Sequence, residues 1–277
     1  MQSGHQGIAV KTLLVADLHY DLRKFDWVVE AASHVDVVVL AGDHLEIASM
    51  VGRPAQTVVV QEYFKRIRAV RPLLVCSGNH DLDGEDRNGE LAARWIASAR
   101  YMGIPTDGDS ELIGDTLFTL CPWWGGEKSQ AAVGEQLARD AARRPARWVW
   151  VYHAPPEGSP TSWSGSRSYG DKVLRAWIEE HQPDLVLSGH IHQSPFVPKG
   201  SWADRIGRTW NFNAGHQVGP IPSHVVLDLD ANQAYWLSLT GEEAARLDQP
   251  LERPLPRLSD PPEWLLTMGR LSARRLA

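Results

Sequence analysis

Five apolar runs in this 277-residue chain end in side chains that bind metals or move protons. Lys11-Thr12-Leu13-Leu14-Val15-Ala16 stops at Asp17-Leu18-His19, and Val35 to Leu40 stops at Gly42-Asp43. Pro72 to Cys76 stops at Ser77-Gly78-Asn79-His80-Asp81, Arg147 to Tyr152 at His153, and Asp184 to Leu187 at Ser188-Gly189-His190-Ile191-His192. Short apolar runs bounded by Gly and polar residues read as buried strands. Val35 to Leu40 is too uniformly apolar for a strand wet on one face, so it belongs in the middle of a sheet covered on both sides. Open α/β sheets bind ligands in the crevice outside the carboxyl ends of their strands, so five groups far apart in sequence can converge there. In Asp17-x-His19 and His190-x-His192 the two side chains are two residues apart, which on a strand puts both on one face.

The segments between the runs supply helices. Phe25, Val28, Val29 and Ala32 fall at i, i+3, i+4 and i+7, and Val59, Tyr63, Ile67 and Val70 make a second stripe after Pro54. With the strands on either side these are right-handed crossover units. Glu90 to Met102, residues 129 to 144, and the segment with Val173, Leu174, Trp177 and Ile178 read as further helices, and Thr116 to Leu120 as a strand. Thr209 to Asn213, His224 to Asp230 and Gln233 to Leu239 alternate enough to be antiparallel strands of a second sheet. Residues 1–240 are expected to form one domain, and 241–277 a Pro-rich extension ending in a short helix over Glu263 to Arg274. His5, His34, His181 and His224 match no motif and are expected at surface or capping positions.

Asn79 can bind a metal through its carboxamide oxygen, and His80 can then handle a proton or a developing charge with Asp81 orienting its ring. After Leu120 comes Cys121-Pro122-Trp123-Trp124-Gly125-Gly126, whose Trp123 either caps a core edge or reaches the crevice. Ala154 to Gly170 is a long Pro/Gly/Ser-rich loop that starts at His153, so it reads as a lid or as disorder. As a lid it would lay Trp163 and Tyr169 over the organic part of a ligand. Arg167 is either a phosphate clamp or a solvated loop arginine.

The order Asp17-x-His19, Gly42-Asp43, Gly78-Asn79-His80-Asp81, His153, Gly189-His190-x-His192 resembles the full signature of the calcineurin-like metallophosphoesterase superfamily, over residues 12 to about 215. The resemblance implies an α/β fold, a four-layer α/β/β/α sandwich of two mixed sheets. It also implies two divalent metal ions, one held by Asp17, His19, Asp43 and His192 and the other by Asp43, Asn79, His153 and His190, with His80 beside the scissile phosphate. Asn213-Ala214-Gly215 resembles the element that trails the last histidines in that superfamily, but His216 follows it where Ser is common, which leaves its role open among substrate contacts. His44 and Glu46 depart from the commoner apolar continuation after Asp43, and Glu46 stands where purple acid phosphatases place a tyrosine ligand, which disfavours that branch. Carboxylate, imidazole and carboxamide ligands without thiolate suit Mn, Fe or Zn.

The expected activity is therefore hydrolysis of a small phosphomonoester or phosphodiester by attack of a metal-bridging hydroxide. A nuclease of the same superfamily and a non-catalytic scaffold are the alternatives. With 28 Lys and Arg against 34 Asp and Glu the formal charge is −6, and there is no basic run, so long nucleic acid is not an expected partner. Cys76 and Cys121 lie in or just after strands, which argues against a disulfide framework and for a reducing, cytoplasmic setting. No apolar span reaches ~18 residues and the first residues lack a secretory pattern, so no membrane contact is expected.

Overall fold

The computed structural model describes residues 10–143 and 145–268. The chain opens with β1 (Lys11–Val15), α1 (Leu22–Ala31), β2 (Val37–Ala41), α2 (Arg53–Val70) and β3 (Leu73–Cys76), two consecutive βαβ units. A small ribbon of β4 (Gly84–Glu85) and β5 (Leu91–Ala92) and the short helix α3 (Arg94–Ala97) lead to the hairpin β6 (Ser110–Ile113) and β7 (Thr116–Leu120). Then come α4 (Glu127–Ala142), β8 (Arg147–Val151), α5 (Lys172–His181), β9 (Leu185–Ser188), β10 (Ala203–Ile206) and β11 (Thr209–Asn213). The meander β12 (His224–Asp228), β13 (Gln233–Leu237) and β14 (Glu242–Arg246) follows, and residues 263–268 are helical. No described helix is long and apolar enough to cross a membrane.

Two six-stranded mixed sheets result, in the orders β14-β13-β12-β1-β2-β3 and β10-β11-β9-β8-β7-β6. The period-two alternation of each strand divides its apolar residues between two cores. From β1 and β2, Leu13, Val15, Val38 and Leu40 face Phe25, Val28, Phe64 and Ile67 of α1 and α2. Leu14, Val39 and Ala41 face the other way and meet Phe118, Leu120, Val149, Val151 and Leu187 of the second sheet. On the far side of that sheet Leu117, Trp148, Trp150 and Val186 pack on Val133 and Leu137 of α4 and Leu174 and Ile178 of α5. The four layers are helix, sheet, sheet, helix, as the resemblance implied.

The ends of the parallel strands are level. Val15 pairs with Leu40 and Ala41 with Cys76 in one sheet, and Val151 pairs with Leu187 in the other. Each chain therefore leaves its sheet at the same edge, and the residues that follow meet in one crevice. Helix starts are fixed by carboxylates: Asp21 accepts from Arg23 N at the head of α1, and Asp171 from Val173 N and Leu174 N at the head of α5.

Several expectations are corrected. Thr209–Asn213 lies in the second sheet and pairs antiparallel with β10, but on its other side it runs parallel beside β9, and the β12–β13 hairpin joins the first sheet instead, through antiparallel pairing with β1. Alternation in sequence reports which faces are covered, not which strand is the neighbour. Glu242–Arg246 pairs with β13, so the first sheet runs past residue 240, where the extension was expected to begin. His224 is buried, its Nδ1 donating to the Pro222 carbonyl at 2.9 Å and its ring 4.4 Å from that of Trp27. The expected helix over Glu90 to Met102 is broken into β5, α3 and a 3-10 turn ended by Gly103 at φ 70°. Of the expected terminal helix, residues 269–274 lie outside the described residues, as do residues 1–9, which include His5.

Phe64 is fully buried between these layers, stacked on Trp95 at 5.9 Å and edge-on to His44 at 5.3 Å. Phe64→Ala should lower the unfolding free energy by about 3–5 kcal/mol. Val58→Ala, on the exposed face of the same helix, should change it by no more than about 0.5 kcal/mol, both read from urea unfolding.

Candidate metal centre

The turns beyond the strand ends hold ordinary residues in an uncommon backbone conformation. Asp17, His19, Tyr20, Asp43 and His190 all have positive φ, between 46° and 68°. A non-Gly residue there costs roughly 1 kcal/mol and persists only where its surroundings fix it. Here the turns fix one another: Asp17 N donates to Gly42 O, His19 N to Asp43 O, Tyr20 N to His44 O, and His190 N to the Asp17 carboxylate. Gly78 is required for closeness, since a Cβ there would lie 2.1 Å from Asp43 Oδ1.

The side chains so placed form one cluster. His192 Nε2 is 3.2 Å from Asp17 Oδ1 and 3.1 Å from His19 Nε2. His153 Nε2 is 3.1 Å from Asp43 Oδ2 and 3.8 Å from Asp17 Oδ1, and its Nδ1 donates to the Ala41 carbonyl at 2.7 Å, which fixes the tautomer that aims Nε2 inward. Asp43 Oδ1 accepts from His80 N at 2.9 Å, leaving Oδ2 to face His19 and His80, each at 3.9 Å. Potential ligand atoms of His19, Asp43 and His80, of Asp43, His153 and His190, and of His19, His192 and His216 each lie within 4.8 Å of one another.

Electrostatics separates these groups. For both Asp17 and Asp43 burial alone would raise the pKa, but the surrounding imidazoles outweigh it; Asp17 is held down to about 2 and Asp43 well below the usual carboxylate range. Burial drives His19 and His190 down to about 4, so both offer lone pairs near neutrality. Burial would also lower His153, yet the carboxylates of Asp43 and Asp17 hold it up to about 9. Lys24 is pushed down to about 8 by burial, against the pull of Asp21 and Asp17.

These residues fit divalent cations. Asn79 Oδ1 is buried without a hydrogen-bond partner, and two imidazole nitrogens facing each other at 3.1 Å suit a shared positive centre. The donors are carboxylate, imidazole and carboxamide, the set that binds borderline and hard divalent ions.

A sequence profile of the calcineurin-like phosphoesterase family matches residues 10–194, which carry every ligand-type residue of the cluster up to His192. The chain belongs to the calcineurin-like phosphoesterase family. Solved structures share its fold at low identity. Protein TT1561 of Thermus thermophilus superposes with a TM-score of 0.55 at 15% identity, over 87% of this chain and 100% of that one. A putative 5′-nucleotidase of Staphylococcus aureus gives 0.54 at 12%, over 96% of this chain and 58% of that one, and purple acid phosphatase PPD1 of yellow lupin gives 0.52 at 12%, over 94% and 55%. No curated protein sequence matches significantly.

The phosphoesterase turns bring together Asp17, His19, Asp43, Asn79, His80, His153, His190 and His192, and four further residues change the picture drawn from sequence. Asp81 does not orient His80. Its buried carboxylate accepts from His44 N, Leu45 N and Gly78 N at 2.9–3.1 Å, tying the turn after β2 to the turn after β3. The residue beside His80 is Glu46, whose carboxylate lies 3.8 Å from His80 Nδ1 and 3.4 Å from His19 Nδ1. Gln56 anchors Glu46 by exchanging hydrogen bonds with its backbone N–H and carbonyl. His216 joins the cluster because β11 is parallel to β9: its Nδ1 donates to the Asp17 carbonyl at 2.7 Å and its ring stacks on His192 at 4.7 Å. Lys24, with Nζ 3.3 Å from His216 Nδ1, has no signal in sequence.

Trp123 does reach the crevice, its ring 5.2 Å from His190 and 5.7 Å from His153, with its backbone N–H held by Ser77 Oγ. Among the described residues Trp163 and Arg167 make no hydrogen bond, ion pair or ring contact with the cluster. Their loop is tied down at Thr161, whose carbonyl accepts from Asn213, and at Ser159, which donates to Asp204; Arg167 lies over the Tyr169 ring at 4.2 Å on the exposed side.

Two outcomes follow from this geometry. Because the folded pKa of His153 is raised from 6.5 to about 9, its contribution to the metal-free protein is complete below pH 6.5 and is lost as pH rises through about 9. Metal affinity should move the opposite way, tightening over that window as the proton leaves; Mn titrations by calorimetry at pH 6.5 and 9 with equal affinity would contradict it. Asp81→Asn should weaken metal affinity by roughly 10–100-fold, as loss of a supporting contact does, while sparing the turnover rate at saturating metal.

Proposed function

We propose that this phosphoesterase hydrolyses small phosphate esters with two divalent ions. The observation that carries the reading is the convergence of ligand-type side chains from five strand ends on one crevice, with the buried carboxamide oxygen of Asn79 left open. Asp17, His19, Asp43 and His192 would hold one ion, and Asp43, Asn79, His153 and His190 the other. Such a pair, when bound, lowers the pKa of water towards ~7 and draws charge from the phosphoryl oxygens.

The chain's own residues do the rest. His80 stands at the mouth, its side chain a fifth exposed, edge-on to His19 at 4.7 Å. Glu46 lies on its Nδ1 side at 3.8 Å, and Nε2 would give or receive a proton at the leaving oxygen. His80 N–H holds Asp43 Oδ1, so the backbone of this residue orients a ligand while its ring handles the proton. Trp123 packs edge-on to His153 and tilted against His190 at the wall of the crevice. A small ester is the substrate class consistent with a chain of charge −6 that lacks a basic track.

Chelation should abolish hydrolysis of p-nitrophenyl phosphate and Mn should restore it; an unchanged rate after chelation would overturn the reading. His80→Ala should keep its metals and lose about 10²–10⁴-fold in kcat, with a smaller loss on esters whose leaving group needs no proton.

A further inference from the structure

Lys24 lies in the first turn of α1 and is only 2% exposed, so its ammonium is withdrawn from bulk water. No carboxylate pairs with it among the described residues. Asp21, the acid nearest along the chain, is taken by Arg23, whose guanidinium meets its two oxygens at 3.1 and 2.9 Å. The Asp17 carboxylate is occupied by His190 N and His192 Nε2. Among the described residues the polar atoms within hydrogen-bond reach of Lys24 Nζ are the two ring nitrogens of His216, at 3.3 and 3.5 Å.

His216 can satisfy little of that demand. Its Nδ1 is 2.7 Å from the Asp17 carbonyl, so Nδ1 carries the proton and cannot accept from lysine. Nε2 remains, at 3.5 Å. An ammonium has three N–H donors and no acceptor. At least two of them have no protein partner among the described residues, an arrangement that costs free energy unless a water or an anionic oxygen meets them. The pair adjoins the metal cluster, since the His216 ring is 4.7 Å from His192 and 5.4 Å from His19.

We propose that Lys24, with His216 beside it, is a subsite for the phosphate oxygen left outside the metal clamp, and that it makes phosphomonoester dianions the preferred substrates over diesters. This rests on the phosphohydrolase reading above and narrows its substrate class. A tetrahedral phosphate has one leaving oxygen and three others. Two cations would engage two of them and leave the third over. In a monoester near pH 7 that third oxygen shares a charge close to −2, whereas in a diester it carries a carbon substituent and no charge. The donors of Lys24 are matched by the first and stranded by the second.

The test compares wild type with Lys24→Met, which keeps the length of the stem and removes the charge, and with Lys24→Gln as the polar variant should methionine disturb the fold. Inorganic phosphate is titrated into each metal-loaded protein by calorimetry, with metal content measured alongside. Loss of a charge-assisted hydrogen bond corresponds to roughly 10–100-fold weaker phosphate binding at unchanged metal content. On p-nitrophenyl phosphate and bis(p-nitrophenyl) phosphate, wild type should have the higher kcat/KM for the monoester, and the variants should lose at least tenfold more on the monoester than on the diester. Phosphate affinity within threefold of wild type, equal losses on both esters, or a wild type that prefers the diester would each overturn the subsite. If metal-loaded wild type cleaves neither ester, the phosphohydrolase reading falls, while the phosphate titration still decides whether Lys24 binds a phosphate oxygen.

Discussion

The whole centre depends on a buried carboxylate that touches no reactant. Asp81 accepts three backbone N–H groups, two from the turn after β2 and one from the turn after β3, and so locks together the segments that carry Asp43 and Asn79. Burial raises the pKa of Asp81, partly offset by the nearby His44. His44 in turn bonds the Cys76 carbonyl at the end of β3 and packs against Phe64 and Trp95, so the brace is continuous with the core under α2. Rigidity of this kind is what permits five residues with side chains to remain at positive φ around the crevice.

Within that frame the centre is an unbalanced electrostatic system. Two carboxylates with depressed pKa values face imidazoles that divide into neutral ones, His19 and His190, and one that holds a proton, His153. In the metal-free protein that proton is the counter-charge of Asp43. A divalent ion would take over the same role with more charge, so stability without metal and affinity for metal are expected to respond to pH in opposite directions. Lys24 stands at the rim of the same system as a buried cation that no carboxylate pairs among the described residues.

Much of this is legible in the sequence because strand ends are. Apolar runs that stop at Asp17, Asp43, Asn79, His153 and His190 reveal the carboxyl edge of a sheet, and the level register of β1, β2 and β3 then brings the groups together without further information. Asp81 is misleading because it sits in a 3-10 turn over Asn79–Asp81, where successive side chains point about a third of a turn apart; the neighbour of His80 in sequence faces away from it. Glu46 reaches His80 from three residues beyond Asp43, in a turn held by Gln56. Lys24 is on a helix whose periodicity gives no hint that a charged residue is buried. The place of His216 depends on β11 being parallel to β9, and alternation cannot choose between partners. The loop from Ala154 to Gly170 is recognisable by composition, but its anchoring through Asn213 is a contact between residues 52 apart in the chain.

The most direct measurement is the anomalous diffraction of crystals grown with Mn. Two peaks are expected in the crevice, both against the Asp43 carboxylate, one also adjoining Asp17, His19 and His192 and the other Asn79, His153 and His190. A single peak, or a pair that leaves Asp43 outside the coordination of either ion, would contradict a dinuclear centre bridged by this residue.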